Sequence, residues 1–381
     1  MSLSDIFRGG SNRGRRVCVI GGGLGGLTAA LAFARSGATV EVHEQAPELT
    51  EAGAGIQITP NGAHPLLALG LGDVLEDAGL RAKAVQPTDA LTGRPIARFD
   101  LSDLDGPPYR FFHRADLINL LANACSDAGV EIHLASRVVA DEGAADVVIG
   151  ADGLHSRTRG LLNEPTEPFF TGQVAWRAIV HAPNAPPVAR IWMAPKCHVV
   201  TYPLKCGRLN IVAVQERQAW AAEGWAHPDD PVNIQTAFAN TAPELRDILN
   251  QIENVNLWGL FRHPVADKWS KGKICILGDA AHPTLPFLAQ GANLAIEDAF
   301  VLARCCDAAV DVRTGLRQYQ SIRSPRVSRA IDAANANARN YHLSGGKRLV
   351  AHMGLRTLGV LAPRSFLGRM DWLYGYDATT T

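Results

Sequence analysis

Ten residues constrain this chain more than any others: Val17 to Gly26, VCVIGGGLGG. The run Val17 to Ile20 is apolar and mostly β-branched, the composition of a strand buried on both faces. Gly21, Gly23 and Gly26 then spell G-x-G-x-x-G, and Leu27 to Ser36 reads as a helix. In that setting one glycine makes the tight turn, one lets a pyrophosphate approach the backbone, and one lets helix and strand pack closely. The helix N-terminus offers free N–H groups and a positive dipole end to phosphates. A second strand, Thr39 to His43, ends at Glu44, about 20 residues on, where a carboxylate can take a ribose hydroxyl pair. The motif alone is weak. Its place between a strand and a helix points to a dinucleotide site, with a ligand-free glycine-rich turn as the alternative.

The chain has 381 residues, room for two domains or one large domain with an insertion. Its hydrophobic fraction of 47% and charged fraction of 19% are ordinary for a soluble protein. Formal net charge is zero, which gives no argument for nucleic acid or an anionic membrane surface. The cysteines, Cys18, Cys125, Cys197, Cys206, Cys275, Cys305 and Cys306, have no C-x-x-C spacing, which argues against zinc and dithiol chemistry. No apolar signal segment opens the chain and no run reaches about 18 apolar residues, so a cytoplasmic protein is expected. Residues 1–13 read as a flexible tail.

Residues 14–44 form the first βαβ unit. Glu48 to Gly62 is glycine-rich and extended, either a loop passing close to a ligand or a plain connection. Leu66 to Gly79 has helical spacing. Thr92-Gly93-Arg94-Pro95 is a turn between short strands. Phe111 to Arg114 leads to Asp116, a candidate N-cap, and a helix to Ala128. Val130 to Leu134 reads as a strand. Ala145 to Arg159 holds a buried strand ending in Gly-Ala-Asp-Gly, with Ser156 and Arg159 following Asp152. Residues 165–265 carry short β patterns (Val174 to Val180, Val188 to Met193, His198 to Tyr202, Leu209 to Gln215) and a helix over Ile234 to Ile252. Lys273 to Leu277 is another buried strand, followed by Gly278-Asp279-Ala280-Ala281-His282-Pro283. A long helix begins near Gly291 or Asn293, and residues 315–342 are helical and arginine-rich.

The fold expected is α/β: a Rossmann-type domain with an inserted, mainly antiparallel β-sheet and C-terminal helices. The nucleotide domain is expected over 14–84, 107–164 and 268–335. The sheet domain takes 85–106 and 165–267, and a helical segment 336–381.

Three stretches stand in order: the fingerprint 21–26, Asp152-Gly153-x-x-Ser156-x-x-Arg159, and Gly278-Asp279-x-x-His282-Pro283. Together they resemble the single-component flavoprotein aromatic hydroxylases, the group of p-hydroxybenzoate and salicylate hydroxylases. The resemblance spans about residues 15–335, and the ending Trp372 to Asp377 is similar to salicylate-hydroxylase-like members. It implies FAD, with Gly21, Gly23, Leu24 and Gly26 on the pyrophosphate and Glu44 and Gln45 at the adenosine ribose. It further implies Arg114 as an FAD contact, Val138 on the adenine side, and Asp279 on the ribityl chain. Gly291 and Ala292 would then present backbone N–H groups to the isoalloxazine, where reduction places negative charge. Asp152 to Arg159 is tied to FAD and NAD(P)H in such enzymes, or else is a salt-bridged turn. Two departures are a short 136–146 segment and Ala289, where many members have glycine.

No second fingerprint exists, so NADH or NADPH would bind transiently, as the resemblance implies. O2 would then form a flavin C4a-hydroperoxide that hydroxylates an electron-rich ring. Activating a phenol needs a base. His198 is the candidate: on a strand, His198, Val200 and Tyr202 share one face, and H-x-x-x-Y is similar to hydroxynicotinate monooxygenases. The alternative is a histidine bonded within the sheet, away from the ring. His282 is a lesser candidate, Pro286 would line the flavin face, and Arg177 could meet a carboxylate or make a salt bridge. The expected substrate is a small hydroxylated aromatic acid, salicylate-like or hydroxynicotinate-like. A larger isoprenoid or polyketide phenol is one alternative and a non-catalytic flavoprotein sensor another. A monomer or homodimer is expected, without nucleic acid or membrane partners.

Overall fold

The strand Arg16–Ile20 sits inside a six-stranded sheet, flanked in parallel by Thr39–His43 on one side and Val147–Gly150 on the other. The computed structural model describes residues 6–49, 54–143, 145–218, 227–362 and 367–380. Beyond Val147–Gly150 lie Ile274–Ile276 and the antiparallel edge Ser270–Lys271, and beyond Thr39–His43 lies Glu131–His133. Val17, Val19 and the whole of Val147–Gly150 are buried, as strands covered on both faces must be. The helix Leu24–Arg35 packs on the helix Gly291–Ala308, which is buried at most positions.

Residues 6–13 do not hang free. Ile6 and Phe7 are buried, Phe7 meets Phe300, and the Asn12 amide donates to the Ser36 hydroxyl and the Ala303 carbonyl. The flexible-tail reading fails for them because an apolar pair and a buried amide find partners on the long helix. Residues 1–5 lie outside the described residues.

The second sheet has eight strands, in the order His227–Asp229, Val255–Arg262, Phe169–His181, Arg208–Glu216, Cys197–Leu204, Val188–Ala194, Ala84–Asp89, Phe99–Asp100. All pairs are antiparallel except Val188–Ala194 with Ala84–Asp89. Its outer face carries Trp176, Trp192, Val199 and Ile211 under two short helices, Pro231–Ala237 and Pro243–Leu249. The single helix expected over Ile234 to Ile252 is thus two. Pro243 cannot donate to the preceding turn and instead starts a new helix. Likewise Asp116 sits inside the first turn of the helix Arg114–Asp127, whose N-cap is His113.

The inner face looks onto the nucleotide domain, and register sorts it into rows. One row runs Trp258, Ala175, Val214, His198, Met193; the next runs Asn256, Arg177, Val212, Val200, Ile191; the third holds Asn210 and Tyr202. His198 and Tyr202 are buried, whereas Arg177, Val212, Val200 and Ile191 are half-buried. The middle row is therefore the least covered part of this face.

The helix Val312–Tyr341 runs back along the nucleotide domain and delivers His342 to the sheet. The helix Gly345–Leu361 is held to the sheet by an Arg348–Asp89 ion pair of 2.6 Å. The last residues return to the nucleotide domain, where Arg326 donates to the Trp372 and Leu373 carbonyls. Among the described residues no helix is long and apolar enough to cross a membrane.

Candidate active site

The carboxyl ends of the parallel strands converge on one crevice, the place where ligands bind in such sheets. Gly21 has φ +113°, a conformation that favours glycine, and a Cβ there would lie 2.3 Å from the Ala151 carbonyl oxygen. A Cβ at Gly26 would lie 2.0 Å from the Gly21 carbonyl oxygen, so these two glycines serve strand–helix packing. Gly23 differs: a Cβ there meets nothing within 4 Å. It caps the helix Leu24–Arg35, and no side chain satisfies the first-turn N–H groups. This is a cradle for a phosphate, open where a pyrophosphate would pass. We expect Gly23→Val to fold like the parent while binding FAD at least about 10-fold more weakly, since the added side chain occupies ligand space only. Flavin absorbance per protein and a thermal melt, measured together, check this.

Glu44 lies 22 positions after Gly22 and accepts its N–H at 2.6 Å through Oε2; Oε1 accepts from Ala46 N–H at 2.8 Å. Each oxygen retains acceptor capacity for a ribose hydroxyl. Gln45 beside it is exposed. Ser136 N–H donates to the Glu44 carbonyl at 2.8 Å, which brings half-buried Val138 to the same end of the sheet. Asp279 is exposed in an otherwise buried turn, at the end of Ile274–Ile276. Arg114 is half-buried, its N–H bonded to the Ala54 carbonyl at 2.9 Å.

Gly291 and Ala292 open the helix Gly291–Ala308, again without a side-chain cap, and a Cβ at Gly291 meets nothing within 4 Å. A second open helix N-terminus thus faces the crevice side. Ala289 before it is left-handed at φ +54°, a conformation that glycine takes at lower cost. Asn293 fixes this turn: its Oδ1 accepts from Thr59 N–H at 3.0 Å, and its Nδ2 donates to the Gln57 and Ala289 carbonyls. Asn61 donates to Gln290 at 2.9 Å and to Glu297 at 2.6 Å.

Behind this lies a buried ionic cluster. Asp298 meets His282 Nε2 at 2.5 Å and Arg323 Nε at 2.7 Å, and Glu297 meets Arg326 Nε at 2.8 Å. Burial alone would raise the Asp298 pKa, but His282 and Arg323 outweigh it and hold the carboxyl at about 2. His282 is therefore locked as a structural partner. Arg159 donates to the Ala280, Ala281 and Pro264 carbonyls, while Asp152 accepts from Ser156 and Thr158. That motif stitches the Gly278–Ala280 turn in place. Asn61, Asn293, Glu297, Asp298 and Arg323 were not anticipated. Their one sequence signal is the pair Glu297-Asp298 inside an apolar helical run.

His198 and Tyr202 share the inner face but stand about 13 Å apart along the strand. They bracket the middle row rather than act on one atom. Tyr202 packs on Phe111 at 5.0 Å between ring centroids; burial raises its pKa, opposed by Arg177. Gly55 packs so closely that a Cβ would lie 2.7 Å from the Tyr202 ring. His198 touches Phe287 and Tyr341, and its Nδ1 lies 2.7 Å from His342 Nε2. Its partner is thus outside the sheet. Arg177 stacks on Trp258 at 4.9 Å.

A family profile described as an FAD binding domain matches residues 15–144 and 140–334. The chain is 36% identical over 388 residues to 3-amino-4-hydroxybenzoate 2-monooxygenase PtnB3 of Streptomyces platensis, covering 95% of this chain and 96% of that one. It is 33% identical to 3-hydroxybenzoate 6-hydroxylase 1 of Aquipseudomonas alcaligenes, covering 95% and 98%. The chain belongs to the single-component flavoprotein aromatic hydroxylases. Among solved structures, HpxO of Klebsiella pneumoniae, complexed with FAD, is similar with TM-score 0.80 and 26% identity over 94% of this chain and 98% of that one. This flavoprotein hydroxylase is an aromatic-ring monooxygenase with FAD as cofactor and NADH or NADPH as transient reductant. The open cradles at Gly23 and Gly291 fit the two ends of that cofactor.

Proposed function

We propose that this enzyme hydroxylates a small hydroxylated aromatic acid, with O2 as the oxygen source and His198 as the base. The observation that carries the reading is the half-buried middle row, with Arg177 on it and His198 one row away. The strands of Arg177 and His198 are two apart, about 10 Å across the sheet, a span that a hydroxybenzoate bridges once both side chains reach inward. The carboxylate of the acid meets the Arg177 guanidinium, and the ring hydroxyl meets His198. When bound, reduced FAD supplies the activated oxygen. The chain's own part is to orient the ring, withdraw its hydroxyl proton and exclude water.

Gly21, Gly23, Leu24 and Gly26 hold the pyrophosphate in this reading. Glu44, Gln45 and Val138 hold the adenosine, Arg114 and Asp279 the bridge to the flavin, and Gly291 and Ala292 the ring edge. Tyr202 closes the far end of the ring site. The protein acts in the cytoplasm as a monomer or homodimer, in keeping with seven free cysteines.

Arg177→Met should raise KM for a hydroxybenzoate by about 10- to 100-fold, the worth of a charge-assisted hydrogen bond, with a smaller effect on kcat. Comparing the acid with its uncharged amide checks this: the parent enzyme discriminates and the variant does not. The reading as a whole is tested by NADH and NADPH oxidation with FAD-loaded protein against a panel of aromatic acids, product and peroxide measured together. Stimulated oxidation with hydroxylated product supports it. Stimulation by larger phenols alone, or by none, rejects the acid.

A further inference from the structure

We propose that His342 and Glu216 form a proton relay that sets the tautomer of His198 and connects it to solvent. The proposal rests on His198 being the base. Three groups lie in line: His198 Nδ1 is 2.7 Å from His342 Nε2, and His342 Nδ1 is 2.9 Å from Glu216 Oε1. His198 and His342 are 2% and 6% exposed, whereas the Glu216 side chain is 42% exposed. The line therefore runs from the interior to the surface.

Donor and acceptor roles follow from the end of the line. An ionised carboxylate only accepts, so His342 Nδ1 carries the proton. Neutral His342 then has a lone pair on Nε2, which must accept from His198 Nδ1–H. Neutral His198 is left with its lone pair on Nε2, the form a base requires. Burial lowers the pKa of both imidazoles, His198 further through its neighbour His342, so both are neutral at pH 7; Glu216 opposes the fall at His342. Around them stand Tyr341 against His198 and Lys196 on the adjoining turn. Cys197, whose thiol is pushed up to about 11 by burial and then by Glu216, stays protonated.

The transfer balances. The substrate O–H bond breaks and its proton joins His198 Nε2. The Nδ1 proton of His198 moves to His342 Nε2, and that of His342 moves to Glu216, which gives it to water. The phenolate remains on the substrate, and reversal of the path restores the product hydroxyl. His342 follows the long helix, and its carbonyl accepts from Lys196 N–H at 3.2 Å, so the C-terminal segment clasps the hairpin that bears the base.

His342 and Glu216 are positioning residues, and their test reads the tautomer. In 15N-histidine-labelled holoenzyme, long-range proton–nitrogen spectra should show His198 as the Nδ1–H form. E216Q and H342Q should shift it toward the Nε2–H form, while E216D should retain it. With 3-hydroxybenzoate as the probe substrate, E216Q and H342Q should lower kcat at pH 7 by about 10- to 100-fold, less than loss of the base itself, with recovery at alkaline pH. An unmoved tautomer and pH profile in both variants overturns the relay, and if H198A is still inactive the base reading stands. Full turnover by H198A overturns the base reading, with the tautomer spectra still reporting on the relay.

Discussion

His198→Ala is expected to reduce hydroxylation at neutral pH by about 10²–10⁴, the range for a lost general base, with FAD still bound. The loss should shrink as pH rises toward the substrate's own phenol pKa, because a phenolate then binds without help. FAD retention is expected because His198 sits on the substrate sheet, against Phe287 and Tyr341. Removing the imidazole leaves a small cavity and His342 without its donor, a modest cost in stability. Single-turnover product formation by rapid quench separates the chemical step from flavin reduction. Unchanged product formation at pH 7 sinks the role.

Arg323→Leu is expected to cost about 3–5 kcal/mol of stability, the largest effect of any single change considered, because it strands buried negative charge. Arg323 is 0% exposed, and both Glu297 and Asp298 are 0% exposed beside it. Glu297 keeps Arg326 and Asp298 keeps His282, so the cluster would survive in part. Denaturant midpoints of the holoenzyme measure the cost, and a loss below about 1 kcal/mol would mean that the cluster is better hydrated than its burial implies. The same cluster predicts acid sensitivity. Asp298 holds its carboxyl at about 2, below the unfolded value of about 3.9, so its contribution is present above pH 4 and lost as pH falls toward 2.

The fingerprint was legible because its chemistry is local. Turn glycines, strand and helix all lie within Val17 to Arg35, and Glu44 follows on the next strand. The face shared by His198 and Tyr202 was legible for the same reason: a strand alternates with period two. The helix misread over Ile234 to Ile252 shows the limit of periodicity. Ile234, Phe238, Leu245, Leu249 and Ile252 are all buried at helical spacing, yet the backbone breaks at Pro243. Side-chain pairing was the least legible part. His198 and His342 are 144 positions apart, and Asp298 and Arg323 are joined only by the turn between two helices. Neither partner carries a local mark that names the other. Ala289 marks a middle case, a departure visible in sequence whose left-handed φ explains why glycine is usual there.

The account rests on transfer of one oxygen atom to an aromatic acid. The most direct measurement supplies holoenzyme with NADH, 3-hydroxybenzoate or another stimulating acid, and 18O2, and weighs the product. One heavy oxygen on the ring, in proportion to NADH consumed, is the predicted result. Reducing equivalents recovered wholly as peroxide, with no labelled product from any acid, would contradict it.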